Sequence, residues 1–361
     1  MSTFVRKIVE RCREKRKLNK EIKALAKMQS KIMDTPEVRE LARLQAEEKA
    51  LAARAAAQRA ERRAALLAAE PTVVEGGSYD EERAFYGVVN YAVKGAAFAG
   101  PADGESAFKE ADTVTVNRCN FALRYPFWHT RELRIADCEL EQTCRAPMWY
   151  CKGIDARVCR IMGPKALREC ENARFSTCNV SSDEFGWRSR GVILEGCELD
   201  GSYFFFEGKS VHMSRCNFTG KYSFQYVEDS IIENSVLDTK DALWHAKRVT
   251  VRNCELRGEY LGWYCEDVVF DNCRIIGTQP FCYCKNLRLY NCQMIDCDLA
   301  FERSTVEATV TTHIDSVKNP LSGYIRALSI GEIIRDSDEY ACSISVGEAP
   351  LEAVCESAEL I

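Results

Sequence analysis

Cysteine recurs in this chain at a fixed interval, and that interval restricts the available folds more than any other feature. Cys119, Cys138, Cys159, Cys178, Cys197, Cys216, Cys254, Cys273 and Cys292 follow one another at 19 residues, apart from one step of 21 (138 to 159) and one of 38 (216 to 254). Ser235 takes the skipped place. A second column lies eight residues before the first: Thr130, Cys151, Cys170, Ser189, Gly208, Val227, Ala246, Cys265 and Cys284. The offset never changes, so the two-residue insertion falls between Cys138 and Cys151. Two residues after the first column the chain is apolar, from Phe121 and Leu140 to Ile275 and Met294. Four residues after it, Gly163, Gly201, Gly220, Gly258 and Gly277 supply turn backbone.

A unit of about 19 residues is too short for a pair of helices and cannot bury its own apolar face. It must stack on its neighbours, and parallel in-register stacking sets like above like at about 4.8 Å. The expectation is an all-β chain: a single-stranded right-handed parallel β-helix of about 10–11 rungs over residues 73–340. A basic, Ala-rich helical arm over 1–72 precedes it and an acidic tail over 341–361 follows. The cysteine columns become internal ladders of small polarizable side chains. Asn234, Asn253, Asn272 and Asn291 form a further ladder at the preceding turn, either as stacked amides or simply as turn-formers. Tyr79 to Phe98 reads as the first rung, and Val306 to about Asp336 as the last ones.

The nineteen cysteines would suit a disulfide framework in a small secreted protein, but this chain is not small. Met1 to Cys12 shows no apolar stretch of the signal-peptide kind, and no run approaches the roughly 18–20 apolar residues of a membrane span. Reduced thiols and a cytoplasmic location are expected. Paired C-x-x-C knuckles are missing, so neither a metal nor a cofactor is expected.

Charge divides the chain. Residues 1–70 carry 18 Lys and Arg against 10 Asp and Glu, whereas residues 71–361 carry 31 against 44. In the arm, Leu18, Ile22, Leu25 and Ile32 approach heptad spacing. Thr35-Pro36-Glu37 reads as a helix start with Thr35 as cap. Three roles compete for the arm: a self-associating coiled coil, a helix packed on the β-helix end, or a basic segment touching nucleic acid or anionic membrane.

Several strings identify a resemblance. They are Tyr79-Asp80-Glu81-Glu82-Arg83-Ala84, Gly100-Pro101-Ala102-Asp103-Gly104-Glu105-Ser106 and Arg124-Tyr125-Pro126-Phe127-Trp128-His129. Further along come Ala166-Leu167-Arg168-Glu169-Cys170, Glu184-Phe185-Gly186-Trp187, Asp238 through Lys247, and Gly277-Thr278-Gln279-Pro280. Over about residues 74–336 the chain resembles the pectate-lyase-like right-handed β-helix proteins classed as domain of unknown function 3737. The resemblance implies the fold and no defined activity.

Chemistry is sought on the segment before the second small-residue column. All five tryptophans, Trp128, Trp149, Trp187, Trp244 and Trp263, fall two residues before that column. Strand alternation would turn them inward as an aromatic stack, although Arg168 and Gln225 share the column. The opposite face would then carry two rows. One runs Glu110, His129, Tyr150, Glu169, Arg188, Glu207, Tyr226, His245, Tyr264, Tyr283, Glu302. The other runs Tyr125, Ala146, Lys165, Glu184, Tyr203, Tyr222, Asp241, Tyr260, Gln279, Asp298. Between them would lie an apolar floor from Phe127 to Phe281.

Such a face suits a polysaccharide, or else it is covered by the arm or a partner chain. Its candidate substrate contacts are Tyr125, His129, Lys165, Tyr203, Tyr222, Tyr226, Tyr260, Tyr264 and Tyr283. Glu169 and Glu207 stand two rungs apart with Arg188 between them, about 9.6 Å by stacking, near the upper limit used by inverting glycosidases. Asp241 and His245 are a second candidate acid–base pair, and Lys165, Arg168 and Arg188 are the cations a lyase would need. The expected function is glycan binding, or polysaccharide hydrolysis or lysis if the chain is an enzyme. The alternative is a non-enzymatic scaffold, oligomerised or joined to a partner protein through residues 1–70.

Overall fold

The computed structural model describes Lys20 and residues 36–347. The chain divides into two compact units, residues 1–69 and 70–361. In the first, helix α1 runs Pro36–Ala68. Pro36 opens it because a first-turn residue needs no amide hydrogen and proline's fixed φ suits that position. The helix stops ahead of Pro71. The heptad over Leu18 to Ile32 and the Thr35 cap lie outside the described residues. Among those described, no helix is long and apolar enough to cross a membrane.

The second unit is a right-handed, all-parallel β-solenoid of about 14 turns at about 19 residues each, longer than the 10–11 rungs expected. It begins with Thr72–Glu75, which pairs with Tyr91–Lys94, one turn ahead of the expected first rung. The last strand, Ser343–Val346, pairs with Tyr324–Ala327 and carries the sheet past residue 340. A typical turn has three sides. The first is a six-residue strand such as Arg190–Glu195, paired with Glu171–Ser176 below and Lys209–Ser214 above. The second is a shorter strand such as Glu198–Ser202, paired with Asn179–Ser181 and Asn217–Lys221. The third is a tight winding with little strand. Near the C-terminus two long strands, Thr305–Lys318 and Ser322–Ile334, replace this pattern and shift register between Val310 and His313.

One left-handed residue makes the corner between the first and second sides. Asn234, Asn253, Asn272 and Asn291 occupy it at φ between 50° and 52°, a region asparagine tolerates better than most residues. Their amides also form a ladder: Asn253 donates to Asn234 at 3.3 Å, Asn272 to Asn253 at 2.8 Å and Asn291 to Asn272 at 3.3 Å. The column therefore serves both as turn-former and as amide ladder.

Each corner leaves a backbone N–H facing the next turn, and the thiol column answers it. The Cys119 N–H donates to Cys138 Sγ at 3.3 Å, Cys178 to Cys197 at 3.4 Å and Cys197 to Cys216 at 3.4 Å. The thiols in turn reach main-chain oxygens, as Cys138 reaches the Ala136 carbonyl at 3.1 Å. At Cys216 the acceptor is Ser235 Oγ at 3.0 Å, so a hydroxyl does the same work as a thiol. Interior phenylalanines stack beside the ladders, Phe98 on Phe121 at 4.5 Å with parallel rings. Burial pushes the thiols of Cys151 and Cys265 well above their ordinary value. It takes Cys297 up to about 12.

All seventeen described cysteines are buried and unpaired. They should resist alkylation in the native protein and react once it is unfolded, as read by mass spectrometry. Rapid native labelling of Cys197, Cys216, Cys254 and Cys273 would contradict the inward ladder. Cys216→Ser should cost less than about 1 kcal/mol because the hydroxyl still accepts the Cys197 N–H. Cys216→Leu should cost about 1–3 kcal/mol by overpacking, and melting of the two variants compares them. The glycine column makes a second test. A Cβ at Gly220 would lie 1.9 Å from the Gly201 carbonyl, whereas one at Gly196 meets nothing within 4 Å. Gly220→Ala should therefore lower the melting temperature more than Gly196→Ala, where alanine meets no neighbour and bears only the strain of a left-handed φ of 61°, and equal losses would contradict the close stacking.

Candidate functional site on the third side

The third side is not extended. Tyr222, Phe224 and Tyr226 have φ of 56°, 57° and 57°, and Tyr203, Phe205 and Glu207 repeat the pattern one turn earlier. The backbone remains paired between turns, with the Tyr226 N–H donating to the Trp244 carbonyl at 2.8 Å and the Phe224 N–H to the Phe204 carbonyl at 2.7 Å. Alternation of side chains in and out belongs to extended backbone, so it fails here. This corrects two expectations. The column from Phe127 through Phe205 and Phe224 to Phe281 is buried core and not an outer floor. The five tryptophans are only half-buried and stand toward the outer side.

The tryptophans tie successive turns together. Each indole N–H donates to the main-chain oxygen sixteen residues on: Trp128 to Ala146 and Trp149 to Lys165 at 2.8 Å, Trp187 to Tyr203 and Trp244 to Tyr260 at 2.7 Å, Trp263 to Gln279 at 2.8 Å. Gln225 makes the same bond through its amide, to the Asp241 carbonyl at 3.1 Å. Trp128 stacks on Trp149 and Trp244 on Trp263, both at 5.3 Å. Arg168 lies between two indoles, 5.0 Å from the ring centres of Trp149 and Trp187. The two polar members that suited an interior poorly thus have partners on a half-exposed ladder: a cation over aromatic faces and an amide in place of an indole.

Outside this ladder stands the row from Glu110 to Glu302, which the winding turns toward solvent. Its rings form two stacks along the axis. His129 lies on Tyr150 at 5.0 Å. Tyr226, His245, Tyr264 and Tyr283 follow one another at 4.6, 4.8 and 4.9 Å. Between the stacks come Glu169, Arg188 and Glu207. Arg188 Nε bonds Glu207 at 2.6 Å, and Glu169 has a looser contact to Arg168 at 3.9 Å.

In the neighbouring row, Lys165 pairs with Glu184 at 3.3 Å and Tyr203 stacks on Tyr222 at 4.9 Å. Tyr125 tilts against Trp128 at 4.7 Å, and Tyr260 meets Trp263 edge-on at 5.5 Å. Asp241 is buried, its nearest ion-pair partner Lys240 at 4.0 Å, and no hydrogen bond or ion pair joins it to His245. Burial raises the Asp241 carboxyl above its ordinary value. The winding therefore gathers Glu169, Arg188 and Glu207 in one exposed row, while Asp241 sits apart in the neighbouring row. Tyr150 stands in this row beside Glu169, and residue type alone does not distinguish it from the other rings there.

The surface around this row is shallow. Glu110, Asp112, His129 and Arg131 line an open depression of about 360 Å³ at one end of it. Among the described residues, no group of three or more His, Cys, Asp and Glu side chains is placed to hold a metal ion.

Burial between Tyr226 and Tyr264, helped by the charge of Lys247, holds His245 below the ordinary imidazole value. The unfolded chain then binds the proton more readily than the folded one. Stability supplied by the neutral ring is present above about pH 6.5 and declines as pH falls from there toward the folded value. The His245 ring resonances should titrate with a midpoint below that of free imidazole. A midpoint at or above about 6.5 would contradict the buried, stacked ring.

Comparison with known proteins bears first on family. Residues 72–346 match the family described as protein of unknown function (DUF3737). No curated protein matches the sequence. Among solved structures, PfbA, a surface adhesin of Streptococcus pneumoniae, is similar at 7% identity and a TM-score of 0.37, over 70% of this chain and 86% of that one. The A-module of the mannuronan C-5 epimerase AlgE4 of Azotobacter vinelandii is similar at 9% identity and a TM-score of 0.28, over 77% and 90%. The match over most of the solenoid makes this chain a member of the DUF3737 family.

Proposed function

We propose that the protein binds a carbohydrate polymer on the third side of its solenoid, through the row that includes Tyr150, Glu169, Arg188, Glu207 and Tyr226. One observation carries this reading: a solvent-facing row in which rings and carboxylates, not the usual solvated lysines, are held at turn-by-turn spacing by a buried scaffold. Aromatic rings offer apolar faces and edges to sugar C–H groups, and carboxylates accept hydroxyl protons. The backbone beneath is fixed by inter-turn hydrogen bonds, so little ordering opposes binding. Because the Glu207 carboxylate is engaged by Arg188 at 2.6 Å, binding is favoured over acid–base hydrolysis. The substrate-contact set extends along both rows to His129, Lys165, Tyr203, Tyr222, Tyr260 and Tyr283, and leaves out Tyr264, which is stacked on both faces by His245 and Tyr283.

A second reading has a specific observation of its own. Leu44 and Leu51, seven residues apart on α1, are 52% and 70% exposed, which favours self-association of the arm. Sedimentation of the full chain against a truncation beginning at Glu70 tests it. A larger mass for the full chain is expected, and equal monomeric masses would remove it.

The glycan reading is tested by screening the full-length protein against neutral and acidic oligosaccharides. Binding of at least one class is expected, weakened by the Glu169→Gln/Glu207→Gln double variant. If no sugar binds, or the double variant binds as the parent does, the row is not a glycan site.

A further inference from the structure

We propose that Tyr150 is the principal ring contact of this site, and that it receives a neutral pyranose and not a uronate. The inference rests on the glycan reading above and deepens it.

Stacking along the axis uses up ring faces. His245 is covered on both sides by Tyr226 and Tyr264, and Tyr264 on both sides by His245 and Tyr283. Such rings present only edges and hydroxyls to solvent. At the two ends of the long stack, Tyr226 is met by Phe206 at 5.4 Å and the half-buried Tyr283 by Trp263 at 5.6 Å, both in edge-to-face contacts. Tyr150 differs. His129 covers one of its faces at 5.0 Å, Trp128 and Trp149 meet it only as perpendicular neighbours at 6.5 and 6.1 Å, and the next residue in its row is Glu169 in place of a ring. Tyr150 is 38% exposed, no more than Tyr264 at 42% or Tyr226 at 44%, so it differs in the stacking on its faces and not in exposed area. A flat sugar ring can take the next place in the stack, lying on the open face with its hydroxyls beside the Glu169 carboxylate.

Charge selects the class of sugar. Lys152 and Lys165, both after Tyr150 in the chain, are already paired, with Glu171 at 3.0 Å and Glu184 at 3.3 Å, while Arg145, five residues before it, and Arg131, one turn from Lys152, show no ion pair among the described residues. Arg168 is held between Trp149 and Trp187 and touches Glu169. Lys152, Lys165 and Arg168 are thus matched by carboxylates or held over rings, Arg131 shares its depression with Glu110 and Asp112, and Glu169 itself would repel a ligand carboxylate. A hydroxyl-rich neutral ring meets acceptors without that penalty.

The experiment is calorimetric titration of the full-length protein and its variants with neutral cello-, xylo- and malto-oligosaccharides and with oligogalacturonate. Tyr150→Ala should weaken neutral-sugar binding about tenfold or more, as expected for a central aromatic contact. Tyr150→Phe should retain most of it, and Tyr264→Ala, in the middle of the long stack, should change it less than about twofold. Native resistance of the thiols to alkylation controls for folding in each variant. Equal losses at Tyr150 and Tyr264, or tighter binding of oligogalacturonate than of every neutral sugar, would overturn this inference and leave the glycan reading standing. Absence of binding by any sugar would remove both.

Discussion

Everything in the solenoid depends on the hydrogen bonding of each turn to the next in strict register. Parallel pairing of the first and second sides places residue i over residue i+19, and the sequence must repeat its chemistry at that interval for the pairing to persist. Where the sheet bends, pairing between strands lapses and a polar side chain must take over. The thiol and hydroxyl columns do this at one corner and the asparagine amides line the same bend. On the third side, the indole N–H groups and the Gln225 amide do it between turns. Cysteine and tryptophan are thus two answers to one requirement, that no buried main-chain group be left without a partner, while the asparagine amides pair with one another.

This explains which parts of the structure were legible in the sequence. The cysteine period gave the parallel stack and its inward ladder because the two straight sides obey strand alternation, and Val192, Leu194 and Leu199 point inward as the pattern requires. The asparagine column could be placed at a corner, though only the structure distinguishes amide pairing from backbone preference and finds both. The third side defeated the same logic. Its alternate positive φ values at residues such as Tyr203, Phe205 and Glu207 put Phe204 and Phe205, neighbours in sequence, both into the core. Periodicity reports spacing and not backbone conformation, so the tryptophans were turned inward and the phenylalanine column outward. The polar members of the tryptophan column, Arg168 and Gln225, were the signal against that assignment.

The row from Glu110 to Glu302 faces outward for the most part, whereas the neighbouring row is mixed, with Ala146 and Asp241 buried. What the sequence lacked was the distinction among these residues. Rings of one type in one row are not equivalent once stacked, because a ring between two others has no face to offer. Glu169 interrupts the aromatic row next to Tyr150, while Arg188 engages Glu207 and gives the two carboxylates different surroundings. The shallowness of the surface fits contact with an extended ligand better than enclosure of a small one.

The orientation of the third side is the claim on which the site rests, and hydroxyl-radical footprinting of the native protein tests it directly. Tyr150, Trp187 and Tyr226 should be oxidised readily, while Phe205, Phe224 and Phe281 remain protected until the chain unfolds. Protection of the tryptophans and tyrosines together with oxidation of those phenylalanines would contradict the account.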